Sequence, residues 1–205
     1  RLRPHTNENP KCLVSLVGKA LIKRQLSVLR SAGIDNITIV GGYKVDKLRA
    51  LNLEVIVNER FATTNMVTTL FEARDRISTG DDLIIGYGDI VYENGVLEKL
   101  LKCESDVCLI SDTGWQSYWE RRVDDPLDDV ETFKINEQGC VIELGKKPKD
   151  LNDIQGQFIG LLKFSAKRTA ELIDVYDAIN RNGHFDGKDF DNMYMTSFLQ
   201  HLIDD

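Results

Sequence analysis

The sequence predicts an α/β fold: a mostly parallel sheet flanked by helices, with a small antiparallel appendage. Three observations predict it. Short apolar or β-branched runs alternate with segments of helical spacing through the first half of the chain. Two of these runs end directly on glycine, at Gly41-Gly42 and at Gly86. Between Thr132 and Phe164 the pattern changes to β-rich pieces separated by glycine, which suits antiparallel pairing.

The elements come in this order. Residues 12–17 form a short apolar, strand-like stretch. Residues 19–32 place Leu21, Leu26 and Leu29 at helical spacing, and Gly33 suits the left-handed turn that ends a helix. Ile37 to Val40 is β-branched and stops at Gly41-Gly42. Residues 44–50 read as a short helix and 53–57 as a strand. Residues 66–77 read as a helix on Val67, Leu70, Ala73 and Arg74. Leu83-Ile84-Ile85 is a buried strand running into Gly86-Tyr87-Gly88-Asp89. Residues 96–101 are a helix and 107–110 a strand. The antiparallel pieces are 132–135, 141–144 and 158–164, with helices after them at 168–180 and 192–203.

Composition narrows the function. The formal charge of −7 argues against broad electrostatic binding to nucleic acid or an anionic membrane. No apolar run reaches the ~20 residues that span a bilayer. The basic, polar start has no apolar h-region, so no signal peptide is expected. Cys12, Cys103, Cys108 and Cys140 form no C-x-x-C pair. Zinc is therefore not expected, and the expectation is four reduced thiols in a cytoplasmic protein. There is no Walker A and no G-x-G-x-x-G motif. His5, His184 and His201 lack partners at metal or triad spacing, and Asp186, Asp189 and Asp191 lack EF-hand spacing.

In an open parallel sheet, ligands bind beyond the carboxyl ends of the strands. Gly41-Gly42-Tyr43 and Gly88-Asp89 fall there. Glycine admits close approach to the backbone, and a carboxylate at a strand end can hold Mg²⁺ against phosphate oxygens. By itself Asp89 could equally be a turn aspartate that caps the next residues of the chain. The N-terminal segment, Arg1-Leu2-Arg3-Pro4 through Pro10-Lys11, supplies basic side chains suited to phosphate. Composition alone allows it to be a solvated basic end.

The ordered set Arg1-Leu2-Arg3-Pro4, Pro10-Lys11, Gly18-Lys19, Ala32-Gly33-Ile34, Gly42-Tyr43, Gly88-Asp89-Ile90 and Lys147-Pro148 resembles sugar-nucleotide-type nucleotidyltransferases over nearly the whole chain. Thr64 to Leu70, Tyr87 to Ile90, Trp115 to Arg121, Asp125 to Thr132 and Gly156 to Leu161 look like the phosphocholine cytidylyltransferase-like branch. The resemblance implies a Rossmann-like, glycosyltransferase-A-like fold forming one nucleotidyltransferase domain over 1–205. Relative to the family pattern, the Gly-rich stretch before Arg1 and a second metal aspartate beyond Asp205 are expected to be missing.

The implied reaction joins a nucleoside monophosphate from an NTP, CTP by the branch, to a phosphorylated or phosphonylated acceptor, releasing pyrophosphate. The cofactor would be Mg²⁺ and the acceptor a small amine such as phosphocholine or 2-aminoethylphosphonate. By match to the family motifs, Arg1 grips the triphosphate, Lys11 bridges phosphates, Asp89 beside Gly88 is the metal ligand, and Lys147 pairs with the acceptor phosphate. Asn65, Thr68, Gly42 and Tyr43 lie by the nucleobase. Asn65 could also be an N-cap.

For the acceptor, Trp115, Tyr118 and Trp119 stand beside Asp128, Asp129 and Glu131. Aromatic faces and carboxylates suit an ammonium group, and Phe158 could add another wall. The same i, i+4 aromatics could instead be the apolar face of a short helix. Two other readings remain open: a sugar-1-phosphate nucleotidyltransferase, and a nucleotidyltransferase-like regulatory module without turnover.

Overall fold

A computed structural model describes residues 2–77 and 80–204. The first departure from the sequence pattern comes early. Instead of one strand over 12–17, a 3-10 turn (Lys11–Leu13) leads into a hairpin of β1 (Ser15–Leu16) and β2 (Lys19–Ala20). Val17 and Gly18 both take positive φ, at 48° and 76°. That pair of left-handed residues reverses the chain as a tight hairpin turn.

Helix α1 (Leu21–Ser31) comes next and ends as expected, with Gly33 at φ +80°. Strand β3 (Thr38–Gly41), helix α2 (Val45–Arg49) and strand β4 (Glu54–Val57) form a parallel unit, with Thr38 opposite Glu54. The helix expected over 66–77 is two shorter ones, α3 (Met66–Phe71) and α4 (Arg74–Ile77). Between them the Ala73 N–H bonds back to Leu70 rather than to a residue four back, which tightens the chain and breaks the helix. Strand β5 (Leu83–Gly86), helix α5 (Asn94–Lys102), strand β6 (Val107–Asp112) and helix α6 (Trp115–Trp119) come after them. Then come strands β7 (Phe133–Ile135), β8 (Val141–Leu144) and β9 (Gln157–Phe164), and helices α7 (Ala166–Ala178) and α8 (Met195–Asp204).

The fold is the expected mixed α/β type, and the appendage is the antiparallel hairpin β7–β8. Strand β9 does not join that hairpin. It lies between β5 and β6, antiparallel to β5, with Leu83 opposite Phe164. Its burial explains the placement: Gly160 to Phe164 are buried without alternation, as a central strand covered on both faces requires.

The chain divides into two compact units. The first comprises Arg1–Thr64, Thr68–Leu109 and Gly160–Ile179. Its core includes Leu26, Leu97, Leu100, Leu162, Phe164 and Leu172. The second comprises Asn65–Val67, Ile110–Ile159 and Asn180–Asp205. Its core includes Trp115, Phe133, Leu144, Met193, Met195 and Phe198.

The expectation of four free thiols is corrected for one pair. Cys103, just past α5, and Cys108, in β6, form a disulfide of 2.05 Å, because the short turn between them brings their Cα atoms to 6.5 Å. Cys12 and Cys140 are free. Among the described residues no helix is long and apolar enough to cross a membrane.

Candidate active site

In the first unit, Lys11 and Asp89 come together from 78 residues apart. The Lys11 ammonium forms an ion pair with the Asp89 carboxylate. Lys11 is presented by the turn after Pro10, and Asp89 by the loop leaving β5. Their side chains are 54% and 31% exposed, so both remain open to a ligand. Gly88 packs against the N-terminal turn: a Cβ there would lie 3.2 Å from the Cys12 Cβ. Burial pushes the Cys12 thiol above its ordinary value, and the negative charge of Asp89 pushes the same way.

The loop carrying Asp89 is held from below. Gln25 on α1 is 5% exposed. Its Nε2 donates to the Tyr87 carbonyl at 2.9 Å and to the Ile90 carbonyl at 2.8 Å. The Tyr87 N–H donates to the Gly160 carbonyl at 2.9 Å. Gly160 has φ +81°, and a Cβ there would come within 2.3 Å of the Tyr87 ring. Sequence reasoning missed Gln25, although a signal was present. With Ile22, Leu26 and Leu29 it occupies the i, i+3, i+4, i+7 stripe of α1, a polar residue on an apolar face.

Gly42 and Tyr43 come directly after β3. A Cβ at Gly42 would sit 2.4 Å from the Asn58 carbonyl oxygen and from the Phe61 ring, so the close approach that demands glycine is made by the protein itself. Asn58 is fully buried. Its Nδ2 donates to Thr64 Oγ1 at 2.9 Å and Thr69 Oγ1 at 2.8 Å, and its Oδ1 accepts from the Arg60 N–H at 2.9 Å. The Tyr43 hydroxyl donates to the Asn7 carbonyl at 2.5 Å. Lys44 pairs with Glu8 at 3.2 Å, and Lys47 on α2 donates to Asn9 at 2.9 Å, so the loop and the helix after it fasten the N-terminal segment by three ties. Thr68 is buried. Arg1 lies outside the described residues.

In the second unit, Asn65 acts as a cap. Its Oδ1 accepts from the Met66 N–H at 2.9 Å, and its Nδ2 donates to the Asn192 carbonyl at 3.3 Å. The two tryptophans separate. Trp115 is 4% exposed and packs with Val130 and Ile154, so its ring is core rather than a pocket wall. An i, i+4 pair cannot announce which member turns inward. Trp119 and Leu127 lie partly buried on that cluster. The Trp119 Nε1 donates to the Asp129 carbonyl at 3.3 Å. The Lys147 ammonium donates to the Leu127 carbonyl, which brings Lys147 beside the same cluster. Arg122 lies 5.0 Å from the Tyr118 ring centroid and 5.4 Å from that of Trp119, so the chain places a cation of its own on these aromatic faces. Phe158 is half-buried on β9.

Glu131 belongs to a polar cluster that sequence reasoning did not assemble. Crowding of its carboxyl by protein raises it above the ordinary glutamate range. The hydrogen bond from Thr196 opposes that, and the nearby Asp186 charge adds to it. Asp186 accepts from Lys146 at 2.9 Å and from Ser197 at 2.5 Å. Burial acts to raise Asp186, but these two bonds outweigh it and hold the carboxyl low. Asp189 instead caps Asn192, which accounts for it without a metal.

Asp89 is the carboxylate that the loop leaving β5 offers to a metal. Among the described residues no group of three or more His, Cys, Asp or Glu gathers as a cage. Asp89 offers one hard carboxylate, which suits Mg²⁺ when water and substrate phosphates supply the remaining oxygens.

Comparison with known proteins gives the family. Residues 3–134 match the MobA-like NTP transferase domain. The whole chain is 42% identical to CTP:phosphoglutamine cytidylyltransferase of Campylobacter jejuni, covering 84% of that protein. It is 24% identical to 2-aminoethylphosphonate cytidylyltransferase of Lancefieldella rimae, over 90% of this chain and 70% of that one. In structure it is similar to a Bacillus anthracis chain described as a glucose-1-phosphate thymidylyltransferase. The TM-score is 0.67 at 13% identity, over 98% of this chain and 77% of the other.

Proposed function

The chain belongs to the MobA-like NTP transferase domain family, and from that premise we propose that it transfers CMP from CTP to a small phosphorylated amine, releasing pyrophosphate. The observation that carries the reading is likeness along the whole chain to a cytidylyltransferase named for CTP and phosphoglutamine. The Lys11–Asp89 pair supports it, because nucleotidyl transfer needs a cation for phosphate and a carboxylate for a metal at one place. In this reading the protein acts in the cytoplasm.

The reaction forms one bond and breaks one. A phosphate or phosphonate oxygen of the acceptor attacks the α-phosphorus of CTP in line, and the bond from that phosphorus to the β-phosphate oxygen breaks. Such transfer is catalysed chiefly by positioning and charge neutralisation. Lys11 exchanges Asp89 for phosphate oxygens and offsets charge as pyrophosphate departs. Arg1 grips the triphosphate. Mg²⁺, held by Asp89 and the phosphates, would supply the larger part of that neutralisation. Lys147 turns its ammonium from the Leu127 carbonyl to the acceptor phosphate. Thr68, Asn65 and the Gly42-Tyr43 loop are each assigned to the nucleobase. Trp119, Asp129, Glu131 and Phe158 form the acceptor side, with Trp115 supporting Trp119 from the core.

A panel assay tests this. CTP, UTP, ATP and GTP are each incubated with Mg²⁺ and phosphoglutamine, 2-aminoethylphosphonate, phosphocholine or glucose 1-phosphate, and pyrophosphate release is monitored. CTP with a phosphorylated amine should give the highest kcat/KM. Preference for UTP with the sugar phosphate would overturn the reading.

A further inference from the structure

We infer that Gln25 is a positioning residue for Asp89. It would be a buried amide clamp that sets the carboxylate used in nucleotidyl transfer. The inference rests on the reading that Asp89 works in that reaction.

A primary amide has two N–H donors. Both donors of Gln25 are spent on one loop, at the Tyr87 and Ile90 carbonyls. The residues between those carbonyls are Gly88 and Asp89. The clamp therefore spans the working carboxylate and little else. The loop leaves β5 as irregular backbone, so no ladder of strand hydrogen bonds fixes it. Its geometry is set instead by Gln25 below and by the Tyr87–Gly160 bond at its start. Gln25 is itself fixed, because α1 buries it between Ile22 and Leu26. A polar side chain on the apolar stripe of a helix costs stability unless it is satisfied, and here the loop satisfies it.

Two variants graded by donor number test the clamp in the full chain. Gln25→Met keeps the length and removes both donors. Gln25→Asn keeps the amide but is one methylene shorter and can hold one carbonyl at most. Partners that orient a ligating group cost roughly 10- to 100-fold in metal affinity or activity when removed. The order of kcat should be wild type, then Gln25→Asn, then Gln25→Met, with KM for CTP within about twofold throughout. Mn²⁺ binding in the presence of CTP, read by electron paramagnetic resonance, should weaken in the same order.

A purely structural role would lower the thermal midpoint while leaving kcat per folded molecule and Mn²⁺ binding unchanged, and that result would overturn the inference. Asp89→Asn is the control. If it keeps normal turnover and Mn²⁺ binding, the reading of Asp89 fails. If it loses both while Gln25→Met keeps both, the clamp alone fails. If Gln25→Met does not fold, Gln25→Asn carries the test.

Discussion

Lys147 and the two tryptophans allow single side chains to be judged separately. The Lys147 ammonium rests on a backbone carbonyl beside the Trp119 cluster. If it holds the acceptor phosphate, Lys147→Ala should raise the acceptor KM by about tenfold or more and leave the CTP KM near its original value. Initial rates over a two-substrate grid measure both, and a change confined to CTP would place Lys147 on the other substrate. Trp115 and Trp119 should diverge. Truncating the buried Trp115 leaves a cavity, and Trp115→Ala should cost about 3–5 kcal/mol by urea unfolding. Trp119→Ala should cost less stability and instead impair acceptor use. Equal loss of stability in the two variants would mean that Trp119 is also core. Spacing showed that these aromatics share a helix face, but not which of them the core takes. Gln25 was missed, although its place on the stripe of Ile22, Leu26 and Leu29 is a signal of burial. Its target was not legible, because Tyr87 and Ile90 reach it only through the fold.

Among the elements, β9 shows where local pattern stops. The run was visible as a strand because it is rich in apolar residues, and α1, β3, α5, α7 and α8 were visible for similarly local reasons. Strand order is set by non-local pairing, and nothing within Gln157–Phe164 says that it inserts between β5 and β6. Once there, it brings Gly160 under Tyr87, where positive φ and a 2.3 Å approach both exclude a side chain. Gly160→Ala should therefore destabilise by about 1 kcal/mol or more and lower turnover by displacing the loop that begins at Tyr87. Gly187→Ala is the matched comparison. That glycine has φ +79° with nothing within 4 Å, so the change strains the backbone without a collision. It should lose some stability and keep its turnover. Equal turnover in both variants would show that the Tyr87 contact does not govern the loop.

For the molecule as a whole, the dependence of stability on pH should carry the mark of Glu131. Protein crowded around its carboxyl raises it, and so it binds its proton more tightly in the folded state than in the unfolded chain. Its favourable contribution is present below the unfolded value of about 4.3 and is lost as pH rises through the folded value. Glu131→Gln removes that ionisation, so wild type should lose more stability than the variant across this window. Urea midpoints taken from about pH 4 upward measure it, and parallel curves would refute it. The opening ion pair of the site has a consequence at the same scale. Before substrate arrives, Lys11 and Asp89 neutralise each other, so neither presents an unpaired charge. On the proposed reading, a nucleotide carrying its own cation would enter by exchange of counterions, with Lys11 taken up by phosphate and Asp89 available to the metal. Nucleotide alone would strand Asp89 and metal alone would strand Lys11, so the two should be admitted together.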